Sequence, residues 1–202
     1  RFGKTPIPSY IENHKLNEKE LRKRYQSIFA KHPGSTAAPT ASLHFTNRVF
    51  KKLDNKNIER LFVTLHVGLG TFSTLLPEHF EENKLFEEHY EIDKKVADKI
   101  EKLKKSGKKL VAVGTTSVRT LESFARNKKL KSGTDIFIHT PFKFKNVDCL
   151  ITNFHVPKSS LMLLVEAFLQ SKKSKRKLTE LYKYAIINSF RFYSFGDSML
   201  II

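Results

Sequence analysis

Tryptophan is missing from this chain and cysteine occurs once, so no intramolecular disulfide can staple the fold. Cys149 lies in the run Val147 to Ile151, apolar apart from Asp148, and reads as a core residue in a reduced, cytoplasmic setting. Long apolar runs are lacking as well. The longest, Leu161 to Val165, meets Glu166 after five residues, against roughly 20 needed to cross a bilayer. Neither a membrane span nor a signal peptide is expected. There is no CxxC, no HExxH and no carboxylate-rich cluster, so no metal site is expected. Walker and dinucleotide-binding fingerprints are absent too. No initiator Met precedes Arg1, and the ordered-looking start Phe2 to Pro8 leads us to expect a fragment or a shortened form.

The 202 residues that remain, 40% hydrophobic and 28% charged, suit one soluble globular domain with a real core. Acid is scarce: 20 acidic residues face 37 basic ones, a formal charge of +17. Two readings of that charge stand side by side. One is a field that attracts nucleic acid and weakens with salt; the other is plain lysine enrichment on solvated faces. The run Lys172-Lys173-Ser174-Lys175-Arg176-Lys177 has the same two readings, a phosphate grip or a solvated loop.

Apolar spacing predicts alternating helices and strands. Asn17 and Glu20 form a capping-box pattern ahead of a helix from about Glu18 to Ala30. Thr40 caps a second expected helix with Leu43, Phe50 and Leu53 on its apolar face. Leu61 to Val67 reads as a buried strand that stops at Gly68-Leu69-Gly70. Asp93 caps a helix carrying the stripe Val96, Ile100 and Leu103, and Leu110 to Val113 gives the next strand. Ser117 to Arg126 then reads as helix, Asp135 to His139 and Cys149 to Thr152 as extended, and Ser159 to Gln170 and Leu178 to Ser189 as helices. Met199 to Ile202 reads as a last strand. The pattern predicts an α/β fold, a three-layer αβα sandwich on a largely parallel or mixed sheet.

In such folds ligands bind beyond the carboxyl ends of the strands, which directs attention to the loops after Val67, Val113 and Thr152. Gly114 to Arg119 follows a strand and opens a helix. Its amides, the hydroxyls of Thr115, Thr116 and Ser117, and the Arg119 guanidinium suit a carboxylate or phosphate, though capping alone also explains such hydroxyls. Gly68 and Gly70, with Thr71 beside them, let backbone approach a ligand closely. A strand histidine such as His66, or His44, is either a hydrogen-bonded core residue or a proton carrier. Asn153, His155, Lys158 and Ser159 bunch before a helix start, a combination that packing rarely needs. Arg191 to Met199 mixes aromatics with Arg191 and Asp197, as either a base-stacking surface or an aromatic core edge.

Taken in order, the blocks Pro6 to Ile11, Arg24-Tyr25-Gln26, Ala37 to Thr46, Thr64 to Phe72, Val113 to Ser123, Thr152 to Ser159 and Arg191 to Ile201 resemble the S-adenosylmethionine:tRNA ribosyltransferase-isomerase family of queuosine biosynthesis. The resemblance implies a three-layer α/β domain with an inserted β-barrel. It also implies transfer and isomerisation of the ribosyl part of S-adenosylmethionine onto 7-aminomethyl-7-deazaguanine in tRNA, with adenine and methionine released. S-adenosylmethionine would be a co-substrate and tRNA the partner; no permanent cofactor, no metal and a monomer are expected. On this basis His44, His66, His155 and Asp197 are expected to be catalytic, and Gly68, Gly70, Thr71, Thr115, Thr116, Ser117 and Arg119 to bind S-adenosylmethionine. Asn153, Lys158, Ser159 and Arg191 are expected to contact substrate.

The chain departs from the family at the His-x-Met-His stretch, which reads Asn83-Lys84-Leu85-Phe86, and at Pro-Gly-Tyr, which reads Pro141-Phe142-Lys143. A family glycine is Gln170 here. The family's N-terminal segment and barrel have no counterpart in residues 1–202, which read as the catalytic α/β domain alone. These departures keep a rival open, a reduced relative that holds tRNA without turnover. An unrelated phosphoribosyl-type enzyme is a more distant rival, since only the Gly114 to Arg119 loop suggests it.

Overall fold

The computed structural model describes residues 11, 17–68, 70 and 75–202. The expected ordered start, Phe2 to Pro8, lies outside them.

Helix α1 (Glu18–Arg24) opens with the complete capping box: the Asn17 side chain accepts from Glu20 N, and the Glu20 carboxylate accepts from Asn17 N. It stops at Tyr25, short of the expected Ala30. Tyr25 is buried with its hydroxyl 3.2 Å from Ser194 Oγ and its ring edge-on to Phe195, so the C-terminal loop fixes where the chain must turn. Phe29 then packs on Phe50 and Phe62. The single helix expected after Thr40 is two pieces, a 3-10 turn (Thr40–His44) and α2 (Asn47–Asn55), because Thr46 caps α2 through Val49 N and needs extended backbone to do so.

The chain continues through β1 (Thr64–His66), α3 (Pro77–Glu81), β2 (Lys84–Glu91), α4 (Lys94–Lys105), β3 (Val111–Val113), α5 (Thr115–Asn127), β4 (Lys131–Ile136), β5 (Cys149–Asn153), α6 (Ser160–Ser171), α7 (Leu178–Ile187) and β6 (Ser198–Ile201). The strands divide between two three-stranded sheets. One is antiparallel, β1-β2-β4; the other is mixed, with β3 parallel to β5 and β6 antiparallel to it.

Neither β2 nor α3 is signalled by apolar periodicity. Only Leu85, Glu88, Tyr90 and Glu91 of β2 turn away from solvent, and β1 and β4 supply the hydrogen bonds that make it a strand.

Helix α5 joins the two sheets. Val118 and Leu121 enter the larger core with Ala112, Leu150, Val165 and Phe168, while Phe124 enters the smaller one with Tyr90, Ile92 and Ala97. On its far side Glu122, fully buried, accepts from the backbone N–H groups of Lys145, Asn146 and Val147 and from Arg126. The loop leading into β5 is thereby tied to α5. Both parallel strands then deliver their carboxyl ends to the start of that helix.

Candidate functional site

The parallel pairing aligns Val113 with Ile151, so β3 ends two residues before β5 closes at Asn153. Gly114 N donates to Ile151 O at 2.8 Å, and Gly114 turns the chain into α5 at φ +87°, a backbone conformation that side chains rarely adopt. Gly114, the N-cap of α5, has no side chain with which to cap it. Ser117 Oγ is engaged with Val113 O at 2.8 Å and Thr120 Oγ1 with Thr116 O at 3.0 Å. The first-turn amides of α5, at the positive end of the helix dipole, are donors able to meet an anion. Thr115 is buried and Thr116 half-buried beside them.

The 3-10 turn Thr40–His44 packs against β5 and brings His44 to the strand end. His44 Nε2 lies 3.1 Å from Asn153 Oδ1. The Asn153 amide is oriented by its other contacts: Nδ2 donates to the carbonyls of Tyr193 and Ser194 at 2.9 and 3.3 Å. Its oxygen therefore faces His44, and an amide oxygen only accepts. His44 must carry its proton on Nε2, which leaves Nδ1 as the basic nitrogen of the neutral ring.

Asp197 joins the same cluster. Its carboxylate takes Arg191 N and Arg191 Nη2, each at 2.8 Å. These bonds hold its pKa below the usual carboxylate value, with a smaller contribution from nearby His44. His44, Asn153, Arg191 and Asp197, separated by up to 153 positions in the chain, are one assembly.

His155 stands two residues beyond Asn153. Its Nε2 is 2.9 Å from Thr152 Oγ1 and its backbone N–H donates to Tyr182 Oη at 2.9 Å. Burial pushes its pKa down to about 4, so the ring is neutral at neutral pH. The same enclosure pushes the Tyr182 hydroxyl up to about 12. Ser159 caps α6 through Met162 N and donates to Val156 O, while Lys158 is exposed in a left-handed turn.

A second assembly lies one turn along α5. Arg119, 5% exposed, donates from Nη1 to the buried carboxylate of Glu88 on β2. The other Glu88 oxygen takes the N–H of Gly68 at 3.1 Å. Glu88 thus connects the glycine loop after β1 with α5. Burial lowers the Arg119 pKa and Glu88 opposes the shift; the guanidinium stays charged. Beside it is a small pocket lined by Gly70, Leu75, His79, Leu85, Phe86, Arg119 and Ser160. Gly70 backbone lies against the Phe86 ring, where a Cβ would come within 2.5 Å.

His66 sits apart from both assemblies: its ring packs on Gly34 and contributes to the field at Glu91. The run Ser35 to Ala41 nevertheless links the strands, since Ser35 and Thr36 bond Val67 and Ala41 lies against Gly114. Thr71 lies outside the described residues.

Motif reading passed over Glu88. Its signal was weak but present, a carboxylate two positions from Tyr90 and so on the same inward face of a strand. The departures from the family are absorbed locally. Asn83 takes a left-handed turn and meets His139 at 2.8 Å. Phe142 carries the Arg126 guanidinium 4.3 Å from its ring centre, and Gln170 bonds Glu166. Among the described residues no group of three or more His, Cys, Asp or Glu could hold a metal ion, and no helix is long and apolar enough to cross a membrane.

The α/β scaffold thus carries a helix start and a histidine–amide–carboxylate cluster beside the ends of two parallel strands, with a buried guanidinium one turn further along the helix, and it is beyond the carboxyl ends of strands that ligands of α/β proteins bind. Residues 1–201 match the family described as queuosine biosynthesis protein, and the chain belongs to that family. The chain is 47% identical over 206 residues to the S-adenosylmethionine:tRNA ribosyltransferase-isomerase of a Thermoanaerobacter species, and 48% identical over 205 residues to that of Finegoldia magna. The first alignment takes in 100% of this chain and 58% of the relative, the second 99% and 57%. The chain therefore spans less than three fifths of these relatives' length. The crystal structure of S-adenosylmethionine tRNA ribosyltransferase from Thermotoga maritima superposes with a TM-score of 0.64 at 39% identity, covering 80% of this chain and 51% of that one.

Proposed function

We propose that this chain is the catalytic α/β domain of an enzyme that transfers and isomerises the ribosyl moiety of S-adenosylmethionine onto 7-aminomethyl-7-deazaguanine in tRNA. Epoxyqueuosine would be formed, with adenine and methionine released. The observation that carries the reading is the meeting of four distant family-like blocks, around His44, Gly114, Asn153 and Asp197, at the ends of β3 and β5. Relatives about half identical across the whole chain bear the name of this activity.

On this reading S-adenosylmethionine is a co-substrate, tRNA is the macromolecular partner, and the protein works in the cytoplasm as a monomer. Thr115, Thr116 and Ser117 at the start of α5, with Arg119, hold the methionine carboxylate, and Gly68, Gly70 and Thr71 admit the nucleoside. One histidine of His44, His66 and His155 takes the proton beside the sulfonium, and another assists adenine departure. His44 suits the first task, with Nε2 held on the Asn153 amide oxygen and Nδ1 left to accept a proton. Asp197 also contacts adenine or the amine. Asn153, Lys158, Ser159 and Arg191 orient ribose and base.

The test is adenine release from S-adenosylmethionine in the presence of tRNA bearing the aminomethyl base. The expected result is adenine and methionine in equal amounts, abolished in His44→Ala. Salt-sensitive tRNA binding without adenine release would overturn the proposal and favour a reduced tRNA-binding relative. Phe86, standing at a family histidine position in the wall of the Arg119 pocket, is the observation behind that second reading.

A further inference from the structure

Arg119 is the one cation among the buried described residues, and it is only half used. Nη1 is taken by Glu88, whereas Nε and Nη2 are buried with no hydrogen-bond partner among the described residues. Those idle donors form a set. Nε–H and the adjacent Nη2–H point the same way in the guanidinium plane, spaced to meet the two oxygens of one carboxylate. Buried charged donors without acceptors are costly, so an empty fork of this kind marks a place where a ligand completes the bonding.

The pocket that Arg119 lines has apolar walls, Leu75, Leu85 and Phe86, and the polar residues His79 and Ser160. The lining chemistry matches an acidic head on a short apolar chain, for which the walls must part, since the free volume is about 10 Å³. Ser160 is the first residue of α6.

We infer that Glu88 is a positioning residue for carboxylate recognition: it pins Nη1 of Arg119 and turns the Nε/Nη2 edge towards the methionine carboxylate, while tying the same guanidinium to Gly68. The inference rests on the proposed co-substrate and adds to it the reading edge, the pocket wall and a residue outside every family-like block. Removing the Glu88 charge leaves Arg119 free to rotate Nη1 towards the ligand and lose the side-on geometry. Specificity for a carboxylate, rather than general binding, is what Glu88 governs.

The test measures direct binding to the 202-residue chain, without turnover, of S-adenosylmethionine and its decarboxylated analogue. The wild-type protein is expected to prefer the carboxylate-bearing ligand by at least about tenfold. Glu88→Gln should reduce that preference to less than about threefold with little change for the analogue. Arg119→Lys, which keeps a cation opposite Glu88 but has no fork, should do the same if Glu88→Gln fails to fold. No preference in the wild-type protein, binding of neither ligand, or full preference retained in a folded variant overturns the inference. Adenine release is a separate readout. Discrimination without release sinks only the proposed reaction, and release without discrimination sinks only the role of Glu88.

Discussion

Asn153 and His155 are two residues apart at the end of β5, and their side chains serve different ends. Asn153 is 2% exposed and spends both amide protons on carbonyls of the C-terminal loop. Asn153→Ala strands those carbonyls and should cost about 2 kcal/mol, a fall in Tm of roughly 4–8 °C in calorimetry. Nitrogen-detected NMR should show His44 losing its fixed Nε2–H tautomer in the same variant. His155 responds instead to pH. Its folded pKa of about 4 lies below the ordinary 6.5, so between those values the unfolded chain holds the extra proton. Stability should fall as pH drops through that window, by up to about 3 kcal/mol. Urea midpoints at pH 7 and pH 4 should show this loss, and His155→Gln should show less of it. At this scale the candidate residues were legible as residue types in loops, but their partners were not. No spacing rule connects Asn153 to Tyr193 and Ser194, or Arg119 to Glu88, because each bond crosses between elements that only folding brings together.

Elements were read best where local chemistry specifies them. The Asn17–Glu20 box, the Asp93 cap ahead of α4 and the Ser159 cap of α6 each satisfy amides within a few residues. The strand β2 was illegible for the opposite reason: Lys84, Glu87, Glu88, His89 and Glu91 hide its alternation, and its hydrogen bonds belong to β1 and β4. Among the described residues, Glu122 is the acidic side chain that ties α5 to the loop before β5. Its carboxylate satisfies three backbone donors and pairs with Arg126. Glu122→Ala should destabilise by about 3–5 kcal/mol, since it leaves donors buried without an acceptor. A reduced urea midpoint and faster amide exchange at Lys145, Asn146 and Val147 would register the loss, and unchanged exchange would argue against the tie.

For the whole molecule the governing quantity is charge. A chain at +17 should bind the proposed tRNA partner with affinity that falls about 100-fold or more between about 50 and 200 mM salt. Exchanging Lys173, Lys175, Arg176 and Lys177 for Gln should flatten that dependence in filter binding if the loop before α7 touches phosphates. An unchanged slope would leave it a solvated face. These cations are exposed, whereas Lys172 turns inward to the Asp148 carbonyl and the Phe168 ring. Composition, caps and apolar periodicity were enough to establish an α/β chain, most of its helices and the loops that carry its polar residues. Those properties arise from neighbours along the backbone. The division into two sheets, the tautomer of His44, the depressed pKa of His155 and the half-empty fork of Arg119 arise from groups meeting across the core. There, burial sets the value of each charge and donor, and no stretch of sequence contains that information.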